Sequence, residues 1–300
     1  MADLLPKREQ QQTQPRPSGE LSRLRSGVLV WDKYEIRSVV GAGATGTVYL
    51  AVTIGDRTPV ALKVEHFDAD DAWKGRVERE ANALRVLKHR NIASFVEAGQ
   101  LDDGRHVIVS EYVRGETLSR VARWADGSLP WRRAVSICID VLEALSAAHA
   151  AGIIHRDVKP GNVVLCQDAE GSCAKLIDFG LCRDASQPPI TLAGEVVGTT
   201  EYMAPERCND EPYDARSDLY SVAVVLYSLL CGALPFAANS TRALIDKCAG
   251  VTAPAMRVPL SREAWPSQLD ALVMQGLAFA PDERFASARE FADALRAVLS

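Results

Sequence analysis

A short stretch in the middle of the chain concentrates side chains that handle protons, metals and phosphates. Residues 153–165 read IIHRDVKPGNVVL, and five such groups lie within eight positions: His155, Arg156, Asp157, Lys159 and Asn162. Asp157 is suited to orienting a hydroxyl group and accepting its proton. Lys159 and Asn162 are suited to holding a phosphate and a metal ion. His155 follows two isoleucines, which is more typical of a buried structural histidine than of a base.

A second carboxylate with a metal-binding context lies further along the chain. Asp178 in KLIDFG ends an apolar, strand-like run and is followed by a Phe-Gly break. Mg²⁺ prefers hard oxygen ligands and takes few of them from the protein. The pattern therefore predicts that Asp178 and Asn162 together hold Mg²⁺.

Two features of the first hundred residues are suited to binding phosphates. Gly41–Gly46 read GAGATG, a spacing shared with dinucleotide-binding loops, but strand-like TVYLAV follows here instead of a helix. A hairpin whose backbone N–H groups cover phosphates fits better, and an ordinary turn is the alternative. Lys63 ends VALK in an apolar strand and is either a snorkelling surface residue or a fixed cation for phosphates. Glu80 on the next predicted helix is its expected partner, and Glu78 fits the spacing as well.

The elements that position these groups fall into two regions. Residues 31–112 are strand-rich with one clear helix, over 71–89, whereas the chain after Gly115 has the apolar spacing of helices. Those later helices are expected over 129–152, 217–231, 240–250, 267–279 and 286–299. Pro160-Gly161 prevents regular structure, so the central stretch is predicted to be a loop between a long helix and a strand, where catalysis usually lies. Residues 1–30 are rich in Gln, Pro, Arg and Ser, which predicts a disordered basic tail.

Composition narrows the class of protein. The 300 residues carry a net charge of −5, which gives no basic field for nucleic acid. The seven cysteines are an odd number without CxxC spacing, and the start of the chain lacks a signal-peptide pattern, so reduced thiols in the cytoplasm are expected. The longest apolar run, from Val222, is too short for a membrane helix of ~20 residues and is predicted to be a buried core helix.

In their order along the chain, these motifs resemble the signature set of protein kinases. The set comprises GxGxxGxV, VALK, a helical Glu, HRDxKxxN, DFG and the APE of Ala204–Glu206. HRDVKPGN, GTTEYMAPE and alanine-rich helices are most similar to the eukaryotic-like serine/threonine kinases of bacteria. The resemblance implies an α+β, two-lobed fold: a small β-rich N-lobe with one main helix over about 31–113, and a larger α-helical C-lobe over about 114–300, with ATP between them.

The resemblance also implies a role for each matching position. Asp157 would orient the acceptor hydroxyl and take its proton, Lys159 would steady the γ-phosphate, and Asn162 with Asp178 would hold Mg²⁺ or Mn²⁺. Lys159 also favours Ser or Thr over Tyr as the acceptor. The nucleotide is expected to lie against Val40, Gly41, Ala42, Gly43, Ala44, Thr45, Gly46, Thr47, Val48, Ala61, Lys63, Glu80, Glu111, Val113 and Val164.

Further positions are implied to act in support or regulation. Arg156 is expected to engage a phosphate on the activation segment, with Ser186 and Thr191 as the autophosphorylation sites, and a plain ion pair is the alternative. Structural roles are implied for His155, Thr199, Glu206, Asp218 and Arg284, with Glu206 and Arg284 forming a buried ion pair. Ser110 replaces a larger residue at the back of the adenine pocket and predicts a roomier pocket. A non-catalytic pseudokinase is the rival interpretation, and the oligomeric state is left open.

Overall fold

The computed structural model of the protein describes residues 23–43, 46–66, 84–125, 127–169, 171–179, 200–209, 211–237, 240–259 and 263–300. Strands dominate the first part of the chain and helices the second, in agreement with the predicted α+β class. The helix predicted over 71–89 lies mostly outside the described residues.

The N-terminal part is a six-stranded antiparallel sheet with strand order β1-β2-β3-β4-β6-β5. Its strands are β1 (Leu29–Val30), β2 (Tyr34–Ala42), β3 (Gly46–Thr53), β4 (Pro59–Glu65), β5 (Phe95–Gln100) and β6 (His106–Glu111). The short β1 pairs with the start of β2. Regular structure therefore begins slightly before residue 31, where the tail was predicted to end.

The two faces of β4 have different partners because side chains alternate along a strand. Val60, Leu62 and Val64 are buried in a small apolar core of this lobe. Ala61 and Lys63 project to the opposite face, which also carries Ser110 and Val48, their direct neighbours on β6 and β3. One face thus stabilises the sheet and the other presents functional groups.

The C-terminal part is built around two long helices. Its helices are α1 (Leu118–Trp124), α2 (Trp131–Ala150), α3 (Pro205–Cys208), α4 (Arg216–Cys231), α5 (Thr241–Cys248), α6 (Ser267–Gly276) and α7 (Ala288–Leu299). Nearly every residue of α4 is buried, which explains why its sequence is apolar on all sides. Gly232 ends α4 with φ of 73°, a left-handed conformation that glycine adopts without strain. The helices predicted over 240–250 and 267–279 end two and three residues earlier than expected.

A three-stranded antiparallel sheet joins the two parts. It consists of β7 (Gly115–Thr117), β8 (Val163–Asp168) and β9 (Gly171–Leu176). The segment before β5 is hydrogen-bonded to β9: the backbone N–H of Leu176 donates to the carbonyl of Asn91 at 2.7 Å, and that of Ala93 donates to Leu176 at 3.0 Å. These bonds attach the N-terminal sheet to the strand that leads to Asp178.

Among the helices that the described residues form, none combines the length and the hydropathy that crossing a bilayer requires.

Candidate active site

A buried carboxylate binds the backbone of the loop that carries Asp157. Asp218, in the first turn of α4, is 1% exposed and accepts hydrogen bonds from the backbone N–H groups of His155 at 2.8 Å and Arg156 at 2.9 Å. Its Oδ2 also lies 2.9 Å from Nε2 of His149. Burial alone would raise the pKa of Asp218, but the hydrogen bonds from His149 and the His155 backbone hold that pKa below its ordinary value.

This carboxylate stabilises an unusual backbone conformation. Arg156 has φ of 66°, in the left-handed region that residues with a Cβ seldom adopt. The Arg156 N–H donates to Asp218, and the Arg156 carbonyl accepts a hydrogen bond from Nη1 of Arg207. Both ends of the strained residue are therefore held, and this sets the direction in which the next residue, Asp157, projects.

His155 supports the same loop from inside the core. It is fully buried, and its ring lies 4.7 Å from that of Phe179. Burial lowers the pKa of His155, so the imidazole is neutral. Its Nδ1 accepts from the backbone N–H of Asp157 at 3.2 Å, which leaves Nε2 to donate to the carbonyl of Ile177, also at 3.2 Å. The histidine thus connects the backbone of Asp157 to that of the Asp178 segment.

Asp157, Lys159 and Asn162 converge on one point. Oδ2 of Asp157 lies 2.9 Å from Nζ of Lys159 and 3.0 Å from Nδ2 of Asn162. Asn162 also donates to the Asp157 carbonyl at 2.8 Å. A turn of 3₁₀ helix over Pro160–Asn162 shortens the chain between them, which is why residues five positions apart meet.

Asp178 lies beside this group, and a lysine from the other lobe contacts it. The backbone N–H of Ile177 donates to the carbonyl of Asn162 at 2.9 Å, which brings Asp178 next to the Asp157 loop. Nζ of Lys63 lies 2.8 and 2.9 Å from the two carboxylate oxygens of Asp178. The expected partner of Lys63, Glu80, lies outside the described residues. The ion pair to Asp178 crosses from the N-terminal sheet to the C-terminal part.

The glycines of the GAGATG stretch, which is expected to cover the nucleotide, differ in their surroundings. A Cβ at Gly46 would lie 2.6 Å from the backbone oxygen of Val64, so only glycine fits where β3 begins. A Cβ at Gly41 or Gly43 would meet nothing within 4 Å. Gly46 is therefore required for packing, whereas Gly41 and Gly43 leave open space above the sheet.

The residues expected around the adenine lie at the junction of the two parts. Ala61 and Ser110 are direct neighbours on β4 and β6, and Val164 on β8 is 5% exposed. Glu111 and Val113 lie at and after the end of β6, where the chain passes to the C-terminal helices. Val40 at the outer end of β2 is exposed, whereas Thr47 on β3 is buried.

One ion pair at this junction was not predicted from the sequence. Nζ of Lys175 on β9 lies 2.8 Å from Oε1 of Glu111, whose other oxygen accepts from the backbone N–H of Ser94 at 3.1 Å. The pair fixes the Glu111 side chain, and with it the segment that connects the lobes. A signal was present in the sequence, because Lys175 is the charged residue of the strand that leads to Asp178.

A second carboxylate braces the base of the C-terminal part. Glu206 and Arg284 form two parallel hydrogen bonds of 2.8 Å each, and both side chains are almost completely buried. The Ser217 hydroxyl donates to the same carboxylate at 2.6 Å. Burial would raise the pKa of Glu206, but the Arg284 guanidinium holds it below its ordinary value. This is the ion pair that the resemblance implied.

Some expected site residues lie outside the part of the chain that the structure describes. They are Ala44, Thr45, Glu80, Ser186, Thr191 and Thr199. Their assignments stay predictions.

The donor set at the centre of the site fits a hard divalent cation. Asn162 directs its Nδ2 to Asp157, which leaves its amide oxygen as the metal-binding atom. The carboxylate of Asp178, 29% exposed at its side chain, supplies the second hard oxygen. One amide and one carboxylate are typical of a metal that is shared between a protein and a phosphate-bearing ligand.

Comparison with protein families gives a match along most of the chain. A family model described as "Protein kinase domain" matches residues 34–294. Serine/threonine-protein kinase pkn3 of Myxococcus xanthus is 37% identical over 281 residues, which cover 91% of this chain and 51% of that protein. Serine/threonine-protein kinase PknL of Mycobacterium tuberculosis is 35% identical over 263 residues, which cover 87% of this chain and 64% of that protein. The chain thus spans between half and two thirds of the length of these bacterial relatives.

Solved structures show the same architecture. The crystal structure of the Mycobacterium tuberculosis PknI kinase domain superposes with a TM-score of 0.71 at 31% sequence identity. The superposition covers 92% of this chain and 99% of that domain. The two-lobed fold expected from the motifs is confirmed.

Proposed function

Because the chain belongs to the protein kinase family, we propose that it is an ATP-dependent serine/threonine kinase that phosphorylates hydroxyl groups of proteins. The bacterial relatives at 35–37% identity are serine/threonine-protein kinases by name, which supports this activity. The proposal rests most directly on one observation, the convergence of Asp157, Lys159 and Asn162 beside the Lys63–Asp178 ion pair.

We assign a separate role to each of these residues from its contacts in the site. Asp157, fixed through its backbone by His155 and through its carboxylate by Asn162, is positioned to orient the acceptor hydroxyl and accept its proton. Lys159, paired with Asp157, is a cation next to the proposed acceptor site and is positioned to contact the transferred phosphate. Lys63 supplies a second cation from the opposite lobe.

A divalent cation fits Asn162 and Asp178, and we propose Mg²⁺, with Mn²⁺ as a substitute. When bound, it would neutralise charge on the phosphates of ATP. The protein's own contribution is positioning and fixed charge, because phosphoryl transfer requires little covalent help.

We further propose that the kinase is activated by phosphorylation of its own segment at Ser186 or Thr191. The support is the position of Arg156 directly before Asp157, together with the guanidinium of Arg207, which donates to the Arg156 carbonyl and so brings a second arginine to this loop. A phosphate there would form charge-assisted hydrogen bonds and order the segment. Mass spectrometry of active protein should find phosphate between residues 180 and 200, and its absence from fully active protein would contradict this part of the proposal.

The proposed substrates are proteins with Ser or Thr acceptors, and the proposed location is the cytoplasm. The reaction consumes ATP, which is a cytoplasmic metabolite. The cysteines that the structure describes are free thiols, as expected in a reducing compartment.

The test is the transfer of labelled γ-phosphate from ATP to a generic protein substrate and to the kinase itself. Wild-type protein is compared with Asp157→Asn and with Asp293→Asn, a change at an exposed carboxylate on α7. We expect Asp157→Asn to lower transfer by at least about 100-fold, which is the contribution of a positioned general base. Asp293→Asn should leave it unchanged.

A parallel measurement of ATP binding separates the kinase from the pseudokinase. Binding of ATP by all three proteins together with transfer by wild type supports the proposal. Binding without any transfer by wild type, in the presence of Mg²⁺ or Mn²⁺, would favour a pseudokinase scaffold.

A further inference from the structure

Two cysteines and a lysine form a cluster behind the site, at the point where α3 and α5 meet. Cys208 is the last residue of α3, Cys248 is the last residue of α5, and both are partly exposed. Their thiol groups are hydrogen-bonded to each other. Nδ2 of Asn209 donates to the carbonyl of Cys248 at 3.2 Å, which holds the two helix ends together.

The third member of the cluster is a buried cation. Lys247 is only 3% exposed, and its Nζ donates to the carbonyls of Thr200 at 2.6 Å and Met203 at 3.0 Å. The same ammonium is hydrogen-bonded to Cys208. Carbonyl groups offer only dipoles, and Glu201 contributes a more distant negative charge. Burial lowers the pKa of Lys247, and a negative charge on the Cys208 thiolate opposes that shift.

The surroundings give the two thiols different reactivities. The hydrogen bond from Cys248 and the ammonium of Lys247 outweigh burial and lower the pKa of Cys208 to about 7. The same hydrogen bond raises the pKa of Cys248. Of the two thiols, Cys208 therefore forms the nucleophilic thiolate more readily, with a protonated thiol as its neighbour.

A second cysteine pair in the chain provides a contrast. Cys166 and Cys173 face each other across β8 and β9, with their sulfur atoms 2.9 Å apart. Both are buried, and burial raises the pKa of Cys173 to about 12. Contact between thiols is thus common to both pairs, whereas partial exposure and a neighbouring cation distinguish the Cys208–Cys248 pair from the Cys166–Cys173 pair.

We propose that Cys208 and Cys248 form an oxidation site that reacts with hydroperoxides and closes to a disulfide. The Cys208 thiolate attacks one peroxide oxygen and the O–O bond breaks, so that the leaving alkoxide or hydroxide takes a proton. Cys208 is then a sulfenic acid. The Cys248 sulfur attacks the Cys208 sulfur, the S–O bond breaks, and the hydroxyl leaves as water with the Cys248 proton. Two thiols lose two electrons in total, and the peroxide gains them.

The disulfide changes the structure next to the catalytic loop. It removes the thiolate, so the buried ammonium of Lys247 loses the negative charge beside it. We expect its hydrogen bonds to the carbonyls of Thr200 and Met203 to weaken as a result. The disulfide also ties the end of α3 to α5. Arg207, directly before Cys208, holds the carbonyl of Arg156, and Arg156 directly precedes Asp157. We therefore expect oxidation to lower phosphate transfer while ATP binding at the opposite lobe is retained; this consequence rests on the proposed kinase activity, whereas the thiol chemistry does not.

The first test identifies the bond. The full chain is treated with hydrogen peroxide and mapped as peptides without reduction. We expect a link between Cys208 and Cys248 that dithiothreitol reverses and that Cys208→Ser abolishes, whereas Cys231→Ser, at another partly exposed cysteine, leaves it intact. Oxidation that occurs first at Cys166, or that stops at Cys208 without recruiting Cys248, would overturn the proposal.

The second test measures the nucleophile. The rate of alkylation of Cys208 by iodoacetamide is followed against pH, with each site read by mass spectrometry. We expect a midpoint near pH 7 for Cys208 and a clearly higher midpoint for Cys231, because burial raises the pKa of Cys231. Equal midpoints for Cys208 and Cys231 would contradict the inference that Lys247 lowers the pKa of Cys208.

The third test separates this inference from the proposed function. Phosphate transfer and ATP binding are measured on oxidised, reduced and re-reduced protein. Reversible loss of transfer in wild type but not in Cys248→Ser supports the coupling to the catalytic loop. A disulfide that forms in an active kinase without changing its rate refutes the coupling and leaves the oxidation site standing. Absence of transfer in every state refutes the kinase, while the peptide map still decides the thiol chemistry.

Discussion

The contacts of Asp218 allow a prediction with a worked magnitude. Asp218→Asn keeps the size of the side chain but replaces one acceptor oxygen by an NH₂ group. The carboxylate accepts the N–H groups of His155 and Arg156 on its two oxygens, so the amide must leave one of these buried donors facing another donor. An unsatisfied buried N–H costs about 1–3 kcal/mol, and the remaining bonds lose their charge assistance. We expect a loss of about 3 kcal/mol in the free energy of unfolding, which is about a hundredfold in the unfolding equilibrium.

The assay is urea unfolding followed by tryptophan fluorescence, with Asp293→Asn as the matched control. Asp293 is 58% exposed and forms surface ion pairs with Arg289 and Arg296, so its replacement should cost less than about 1 kcal/mol. Phosphate transfer by Asp218→Asn should fall as well, because Arg156 no longer holds its left-handed conformation and Asp157 shifts. Equal stability of the two variants would refute the structural role of Asp218.

The difference in stability between wild type and Asp218→Asn should change with pH in a defined direction. The folded-state pKa of Asp218 lies below its ordinary value, so the carboxylate contributes stability that is fully present above about pH 4–5. That contribution is lost as the pH falls through the folded-state pKa. The stability gap between wild type and Asp218→Asn should therefore stay constant from pH 8 to pH 5 and narrow in stronger acid. A gap that widens on acidification would contradict the assignment.

Three further predictions follow from single contacts. Arg284→Lys should cost about 3 kcal/mol of stability, because lysine cannot form the two parallel bonds to the buried carboxylate of Glu206; thermal unfolding measures this, and an unchanged midpoint would contradict it. Gly46→Ala should lower thermal stability by about 1–3 kcal/mol through its clash with β4, whereas Gly41→Ala, where a Cβ meets open space, should not. Ser110→Met should weaken inhibition by bulky adenine analogues, and equal potency on both proteins would exclude a roomier pocket.

The close approach of Asp157, Lys159 and Asn162 was predictable from the sequence because its geometry is local. Asp157, Lys159 and Asn162 lie within six positions, and Pro160-Gly161 leaves few backbone paths between them. The helical and strand-rich halves were also predictable from periodicity. Helix ends were less so, because α6 stops at Gly276, three residues before the expected end, and periodicity alone does not show where the backbone leaves a helix.

Contacts between distant residues required the structure. Lys63 and Asp178 are 115 positions apart, and the spacing of the motifs does not indicate their contact. The Lys175–Glu111 pair and the Cys208–Cys248 cluster depend in the same way on how separate elements pack. Charged or reactive side chains in apolar elements signal that such partners exist, but spacing does not identify them.

The most direct test of the account is the identity of the phosphorylated residue and its dependence on Asp157. Wild-type protein is incubated with γ-labelled ATP, Mg²⁺ and a protein substrate, and the products are hydrolysed and separated as phosphoamino acids. The proposed kinase activity predicts labelled phosphoserine or phosphothreonine in wild type. In Asp157→Asn, the transfer of label should fall by at least about 100-fold while ATP binding is retained. Label on tyrosine, or transfer that Asp157→Asn leaves unchanged, would contradict it.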